Sequence, residues 1–156
     1  MKKPTKFIIS ILLPYIAATI GSFFTAPRGI DWYSTLQRPG FSPPNWVFAP
    51  VWMILFFLMG LALYLVWAKD DKKAKPAYIA YGIQLALNAL WSIVFFGLHQ
   101  PFYAFIEIIF LWTAILTTIV LFYRISKNAA YLLIPYILWV TFAAILNYYI
   151  YILNVM

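Results

Sequence analysis

Gln84, Asn88, Trp91, Ser92 and Phe95 follow one another at intervals of four, three, one and three residues, so a helix through them carries all five along one face. Two amides and a hydroxyl beside two rings make a polar, aromatic face, which inside lipid must bond neighbouring helices or line a cavity. Trp52, Phe56 and Gly60 recur at four-residue steps, and so do Trp139, Ala143 and Asn147. Each set places an indole beside small side chains, which leaves either close helix packing or a slot. Taken alone, the residues favour plainer readings: Gln84 and Asn88 as bonds between helices, the aromatic stripes as packing. An unsatisfied amide in hydrocarbon costs roughly 2–7 kcal/mol, so these side chains must find partners or line a cavity.

Other chemistries lack their residues. The chain has no cysteine and a single histidine, His99, which excludes a disulfide framework and Cys-based zinc or iron–sulfur sites and disfavours a His-rich metal site. No paired carboxylates, Ser/His/Asp set, phosphate-binding glycine loop or dinucleotide fingerprint can be assembled, so hydrolysis and nucleotide chemistry are not expected. No cofactor is required by anything in the sequence.

These faces must be held by elements suited to lipid. Of 156 residues 65% are hydrophobic and only 10% charged, against about 25% charged in soluble proteins. Five runs are long enough, or nearly so, for the roughly 20 apolar residues that cross a ~30 Å hydrocarbon layer: Phe7 to Phe24, Val47 to Ala68, Ala77 to Leu98, Phe102 to Tyr123, and Ala129 to Val155. They are continuously apolar rather than alternating, which predicts helices and not a barrel. The fold class is therefore all-α, a single integral membrane bundle of five transmembrane helices spanning residues 1–156. Pro14 and Pro135 are expected to kink their helices. Glu107, near the outer end of the fourth run, is the only charged residue within any of the five. It marks a water-filled cavity or proton site, or, as the simpler expectation, reaches the interface or bonds a neighbouring hydroxyl. Lys2, Lys3 and Lys6 before the first run also fit the opening of a secretory signal peptide, but Pro14 and the absence of a small-x-small cleavage site favour a retained helix.

Lysine and arginine counts in the flanks give nine on the side of the N-terminus and two, Arg28 and Arg38, on the other. The N-terminus is thus expected in the cytoplasm and the C-terminus outside, in a multi-pass protein of the cell membrane. This bias accounts for the net charge of +7 without a nucleic-acid partner. Five spans and no internal repeat disfavour the inverted-repeat architecture of ion-coupled transporters. Three connections are short; the first, Thr25 to Trp46, is long and holds Pro27, Pro39, Pro43 and Pro44 among Trp32, Tyr33, Phe41 and Trp46. Such a loop is either an ordered lid or a set of interfacial anchors. Gly82 with Ala86, and Ala17 with Gly21, are small-xxx-small pairs of the kind that join helices in dimers. A formal sterol pattern occurs twice, at Leu61, Tyr64, Lys69 and at Leu121, Tyr123, Lys127, with little specificity.

Together these residues resemble the translocator protein family, also called TspO/MBR, the tryptophan-rich sensory proteins and peripheral-type benzodiazepine receptors, and in particular its bacterial members. The resemblance runs through Trp32-Tyr33, Leu36, Pro39, Phe41, Pro43-Pro44, Trp46, Phe48 and Pro50-Val51-Trp52; through Gln84, Asn88, Trp91-Ser92 and Phe95-Phe96; and through Pro135-Tyr136, Trp139, Phe142-Ala143 and Leu146-Asn147. It implies a five-helix bundle, commonly a homodimer, with a pocket inside each monomer capped by the first loop. The ligands it implies are tetrapyrroles such as protoporphyrin IX and heme, sterols in animal members, and synthetic isoquinoline carboxamides and benzodiazepines. Carried onto this chain, the pocket comprises Tyr33, Pro43, Trp52, Phe56, Asn88, Trp91, Ser92, Trp139, Ala143 and Leu146. Some members are associated with light-dependent breakdown of protoporphyrin IX, which gives Trp52 and Trp139 an expected redox role; the alternative is a porphyrin or lipid transporter or sensor without chemistry. The animal sterol motif belongs at the end of the fifth helix, where no Lys or Arg follows Lys127. Phe56 stands where many members have tyrosine, so the pocket lacks that hydroxyl.

Overall fold

A computed structural model describes residues 3–26 and 28–155; Lys2 and Pro27, used above in the charge count and the first loop, lie outside them. The elements run α1 (Lys3–Thr25), α2 (Arg28–Thr35), α3 (Asn45–Trp67), α4 (Lys75–Ser92) continued by a π-helical turn (Ile93–Gly97), α5 (Pro101–Ile125), α6 (Lys127–Leu132) and α7 (Ile134–Val155). Five stretches are long and apolar enough to cross a membrane: Lys3–Thr25, Asn45–Trp67, Lys75–Gly97, Pro101–Ile125 and Lys127–Val155. At 1.5 Å per residue the 23 residues of α3 reach about 35 Å, sufficient for the hydrocarbon core.

Burial is inverted relative to a water-soluble fold. Phe23, Met53, Phe110 and Leu138 point outward, each more than half exposed, whereas Gln84, Asn88, Glu107, Thr118 and Asn147 are buried. Lipid covers apolar side chains at no cost, so the interior is where polar groups find one another. The bundle closes as a ring: α1 packs on α3 and on α4, α4 on α5, α5 on α6 and α7, and α3 on α6. Gly60 lets α1 and α3 touch, since a Cβ there would stand 2.8 Å from both Ile11 Cα and the Ser10 carbonyl oxygen. At the lysine-rich end, buried Lys6 donates to the Trp67 carbonyl at 3.2 Å and pairs with Asp70. That ammonium holds the exposed Asp70 carboxyl below its ordinary range.

The structure refines or departs from the sequence expectation at several places. The fifth span is two helices, because the chain turns at Leu133 just ahead of Ile134-Pro135; the residue before a proline resists helical backbone and Pro135 has no N–H to give. Pro14, in contrast, is buried within an uninterrupted α1. The first loop is a short helix, α2, followed by an irregular strap. Glu107 is buried, and among the described residues neither carboxylate oxygen has a hydrogen-bond partner, so the expected bond to a neighbouring hydroxyl is not made. Of the two small-residue pairs, Gly21 is buried against Ser92, so Ala17–Gly21 serves packing inside the chain, while Gly82 and Ala86 face outward.

Candidate ligand-binding cavity

The ring of helices is not filled at its lid end. A cavity of about 370 Å³ lies between α1, α3, α4 and α7, within the ~300–1,000 Å³ typical of small-molecule sites. The four-residue steps on α3 and α7 bring Trp52, Phe56, Trp139 and Ala143 to its wall, and α4 contributes Asn88, Trp91 and Ser92. Tyr33 of α2 and Leu146 of α7 complete the set expected from the sequence, with one correction: Pro43 is not part of the lining. It lies in the strap ahead of α3, and the position next to the cavity is taken instead by Asn45 and Phe48 on the first turn of α3. The wall is almost wholly apolar, with a few polar atoms where Asn45, Asn88 and Asn147 meet it.

The amides are fixed by a residue that the spacing argument left out. Asn88 Nδ2 donates to the Tyr136 hydroxyl at 3.0 Å, and that hydroxyl donates to Gln84 Oε1 at 2.8 Å. Gln84 thus joins α4 to α7 and stays off the cavity, while Asn88 does both jobs. Tyr136 is fully buried and its ring stands edge-on to Trp52 at 6.2 Å. Its signal was present as Pro135-Tyr136 in the family resemblance but not in any periodicity. Trp91 is held likewise: its indole Nε1 donates to Asn147 Oδ1 at 3.1 Å, and Asn147 Nδ2 donates to the Pro101 carbonyl at 2.8 Å. Trp52 stacks on Phe56 at 5.5 Å and Trp91 on Phe95 at 5.0 Å, so two flat surfaces on different helices border one hollow.

The lid end is closed by a fastened cover. Gly29 lets α2 sit against the end of α4, because a Cβ would lie 2.9 Å from Phe96 Cβ. The π-helical turn inserts an extra residue per bond, with Leu98 N–H donating to Ile93 O, and this turns both Phe95 and Phe96 toward Tyr33. Nothing in the sequence signals that turn beyond the Phe-Phe pair itself. Trp32 stacks on His99 at 4.4 Å and 14°. Asn154 grips the strap at two points, accepting from the Gln37 N–H at 3.0 Å and donating to the Gln37 carbonyl at 2.9 Å. Arg38 donates to Asn45 Oδ1 at 2.9 Å and lies over the Tyr33 ring at 5.1 Å. The aromatic first loop is therefore an ordered lid, though Trp46, three-quarters exposed, is placed as an interfacial anchor.

Among the described residues no cluster of three His, Cys, Asp or Glu side chains is disposed to hold a metal ion. A multi-pass helical membrane protein with an internal, aromatic-walled cavity beneath an ordered lid is the class these features define. Comparison with known proteins narrows it: the TspO/MBR family model matches residues 10–153, and the chain belongs to that family. It is 44% identical over 152 residues to the Tryptophan-rich protein TspO of Archaeoglobus fulgidus, covering 96% of this chain and 97% of that one. A protein of the same name from Chlorobaculum tepidum is 44% identical over 139 residues, 86% of each chain. The human Translocator protein is 39% identical over 140 residues, 88% of this chain and 83% of its own.

Proposed function

We propose that the chain binds planar tetrapyrroles such as protoporphyrin IX in the cavity, and isoquinoline carboxamide or benzodiazepine-type molecules in the same place. The observation that carries this reading is the convergence of Trp52, Trp91 and Trp139, from three helices, on one hollow bordered by Asn88 and Ser92. Apolar walls supply burial of about 25 cal/mol per Å² of ligand surface, and the few amides orient it. In this reading Trp52, Phe56, Trp91 and Trp139 are the walls, Asn88 and Ser92 the polar contacts, Ala143 and Leu146 the floor, and Tyr33 the underside of the lid.

The same placement supports light-dependent oxidative degradation. An illuminated porphyrin is a strong oxidant and sensitises dioxygen, and an indole of Trp52 or Trp139 next to it is positioned to donate an electron. The test is illumination of purified protein with protoporphyrin IX in air, followed by the product spectrum. Trp139→Phe is expected to bind but to bleach porphyrin several-fold more slowly; bleaching at the parental rate removes the redox role. The name Translocator protein, borne by the human relative, favours a second reading, transport without chemistry. It predicts that porphyrin enclosed in sealed vesicles emerges intact in the dark.

The lysine-rich end is assigned to the cytoplasm on the charge bias of its loops. The outward-facing stripe of Ile79, Gly82, Ile83 and Ala86 on α4 is the face through which a homodimer would form, since small residues there allow close helix approach.

A further inference from the structure

Every neighbouring pair in the ring packs closely except one. α3 is held by α6 at the lysine-rich end, but toward the lid it has no comparable packing with α7. The change coincides with the turn at Leu133, where α6, which packs on α3, gives way to α7. An open apolar groove of about 440 Å³ occupies the gap, lined by Ile54, Leu55 and Leu58 of α3 and by Pro135, Leu138 and Trp139 of α7. Ile54 and Leu138 are 61% and 63% exposed. Ile54 is the tenth residue of the 23 in α3, so the groove opens at mid-helix, where the surroundings are acyl chains and not water.

Trp139 lines both this groove and the internal cavity. One indole therefore stands between lipid and the site. Unlike Trp91, whose Nε1 donates to Asn147, and Trp112, whose Nε1 donates to Thr141 at 2.8 Å, Trp139 has a buried Nε1 with no hydrogen-bond partner among the described residues. Its ring meets Phe48 edge-on at 6.0 Å and Phe142 at a tilt at 5.5 Å, and packs, partly buried, against the edge of the core. The lid, in contrast, is fastened by the pair of hydrogen bonds between Asn154 and Gln37, by the Trp32–His99 stack and by the Arg38–Asn45 hydrogen bond.

We propose that the α3–α7 seam is a lateral portal through which apolar planar molecules dissolved in the bilayer enter and leave the cavity, with Trp139 as its gate. The groove carries no charged side chain, so the portal passes a molecule by its apolar face and rejects hydrophilic solutes that would have to shed their water. The lid then has a different task, to exclude water from the occupied site. The inference rests on the proposed cavity-binding reading and adds to it the route.

The experiment measures association and dissociation of a tritiated, uncharged isoquinoline carboxamide with the full chain in lipid nanodiscs. Leu138→Trp and Ile54→Trp, at opposite banks of the groove, narrow the portal from outside without touching the cavity wall. Each is expected to slow both rate constants about tenfold and to leave Kd within twofold of the parent, a retained Kd also showing that the variant is folded. Asn154→Ala, which unfastens the lid, is expected to leave both rates within twofold. Parental rates in both groove variants overturn the portal, and so does several-fold acceleration by Asn154→Ala. Absence of saturable binding to the parent chain refutes the cavity reading itself, and the portal with it, whereas unchanged rates with intact binding refute the portal alone.

Discussion

Replacing Tyr136 by phenylalanine removes one oxygen atom and keeps the ring that leans on Trp52. That oxygen accepts from Asn88 at 3.0 Å and donates to Gln84 at 2.8 Å, in a residue only 1% exposed. Both amides then lose a partner inside the bundle. Hydrogen bonds between helices in membranes contribute about 0.6 kcal/mol on average and up to about 1.7. A buried group left unsatisfied costs about 1–3 kcal/mol in soluble proteins. Asn88 borders the cavity, where water can replace its partner, but Gln84 is 1% exposed and has besides this only a long contact to Met59 Sδ at 3.9 Å. The loss should therefore come mainly from Gln84 and total about 1–3 kcal/mol. Reversible unfolding in mixed micelles by SDS titration, followed by tryptophan fluorescence, measures it. A double-mutant cycle with Gln84→Leu isolates the coupling, because the second change should cost little once the hydroxyl is gone. Stability within about 0.3 kcal/mol of the parent, or strict additivity with Gln84→Leu, refutes the claim that Tyr136 ties α4 to α7.

Three further perturbations follow from the geometry. Gly60→Val places carbon against the backbone of Ser10 and Ile11, where nothing can rotate away, and should cost about 1–3 kcal/mol or more in the same assay, whereas Gly82→Val, with no atom of its own chain within 4 Å of its Cβ, should leave the stability of the single chain nearly unchanged and weaken only association through that face. Asn154→Ala releases the strap at Gln37 and should raise protease cleavage and amide exchange across residues 36–44 with little change in global melting. The pH response of Asp70 has a definite sign: its carboxyl is held below the ordinary value of 3.8 by Lys6, so the stabilisation is present above that value and disappears as pH falls through the lowered one. Acidification through that window should destabilise the parent more than Asp70→Asn, by a small amount because the carboxylate is exposed.

Much of this arrangement was legible in the sequence because lipid imposes a simple grammar. The five spans, the face of α4 bearing Asn88, Trp91 and Ser92, and the indoles of α3 and α7 all follow from length and from helical spacing. What periodicity cannot give is the partner of a buried polar group, which depends on how two helices meet. Hence Tyr136 is legible only through the resemblance, and spacing, which suits Gln84 and Asn88 as bonds between helices, does not tell which helix they bond or that Asn88 also borders the cavity. The π-helical turn at Ile93–Gly97 and the break at Leu133 are backbone events, and proline near the second marks it only as one of several places where a helix can bend. Pro43 failed as a lining residue because the strap is an irregular segment whose course is set by contacts with Asn154 and Tyr33, not by a repeat.

The central claim is that the hollow between Trp52, Trp91 and Trp139 is a binding site, and filling it tests that most directly. Protoporphyrin IX titrated in the dark into the parent chain should quench tryptophan fluorescence saturably, at one molecule per chain, and raise the melting temperature, the equivalent of about 2.7 kcal/mol at a hundredfold excess over Kd. Ala143→Phe, which projects a ring into the cavity from α7, should keep the fold and lose both effects. Equal quenching and an equal rise in melting temperature in Ala143→Phe would place the porphyrin elsewhere and contradict the account.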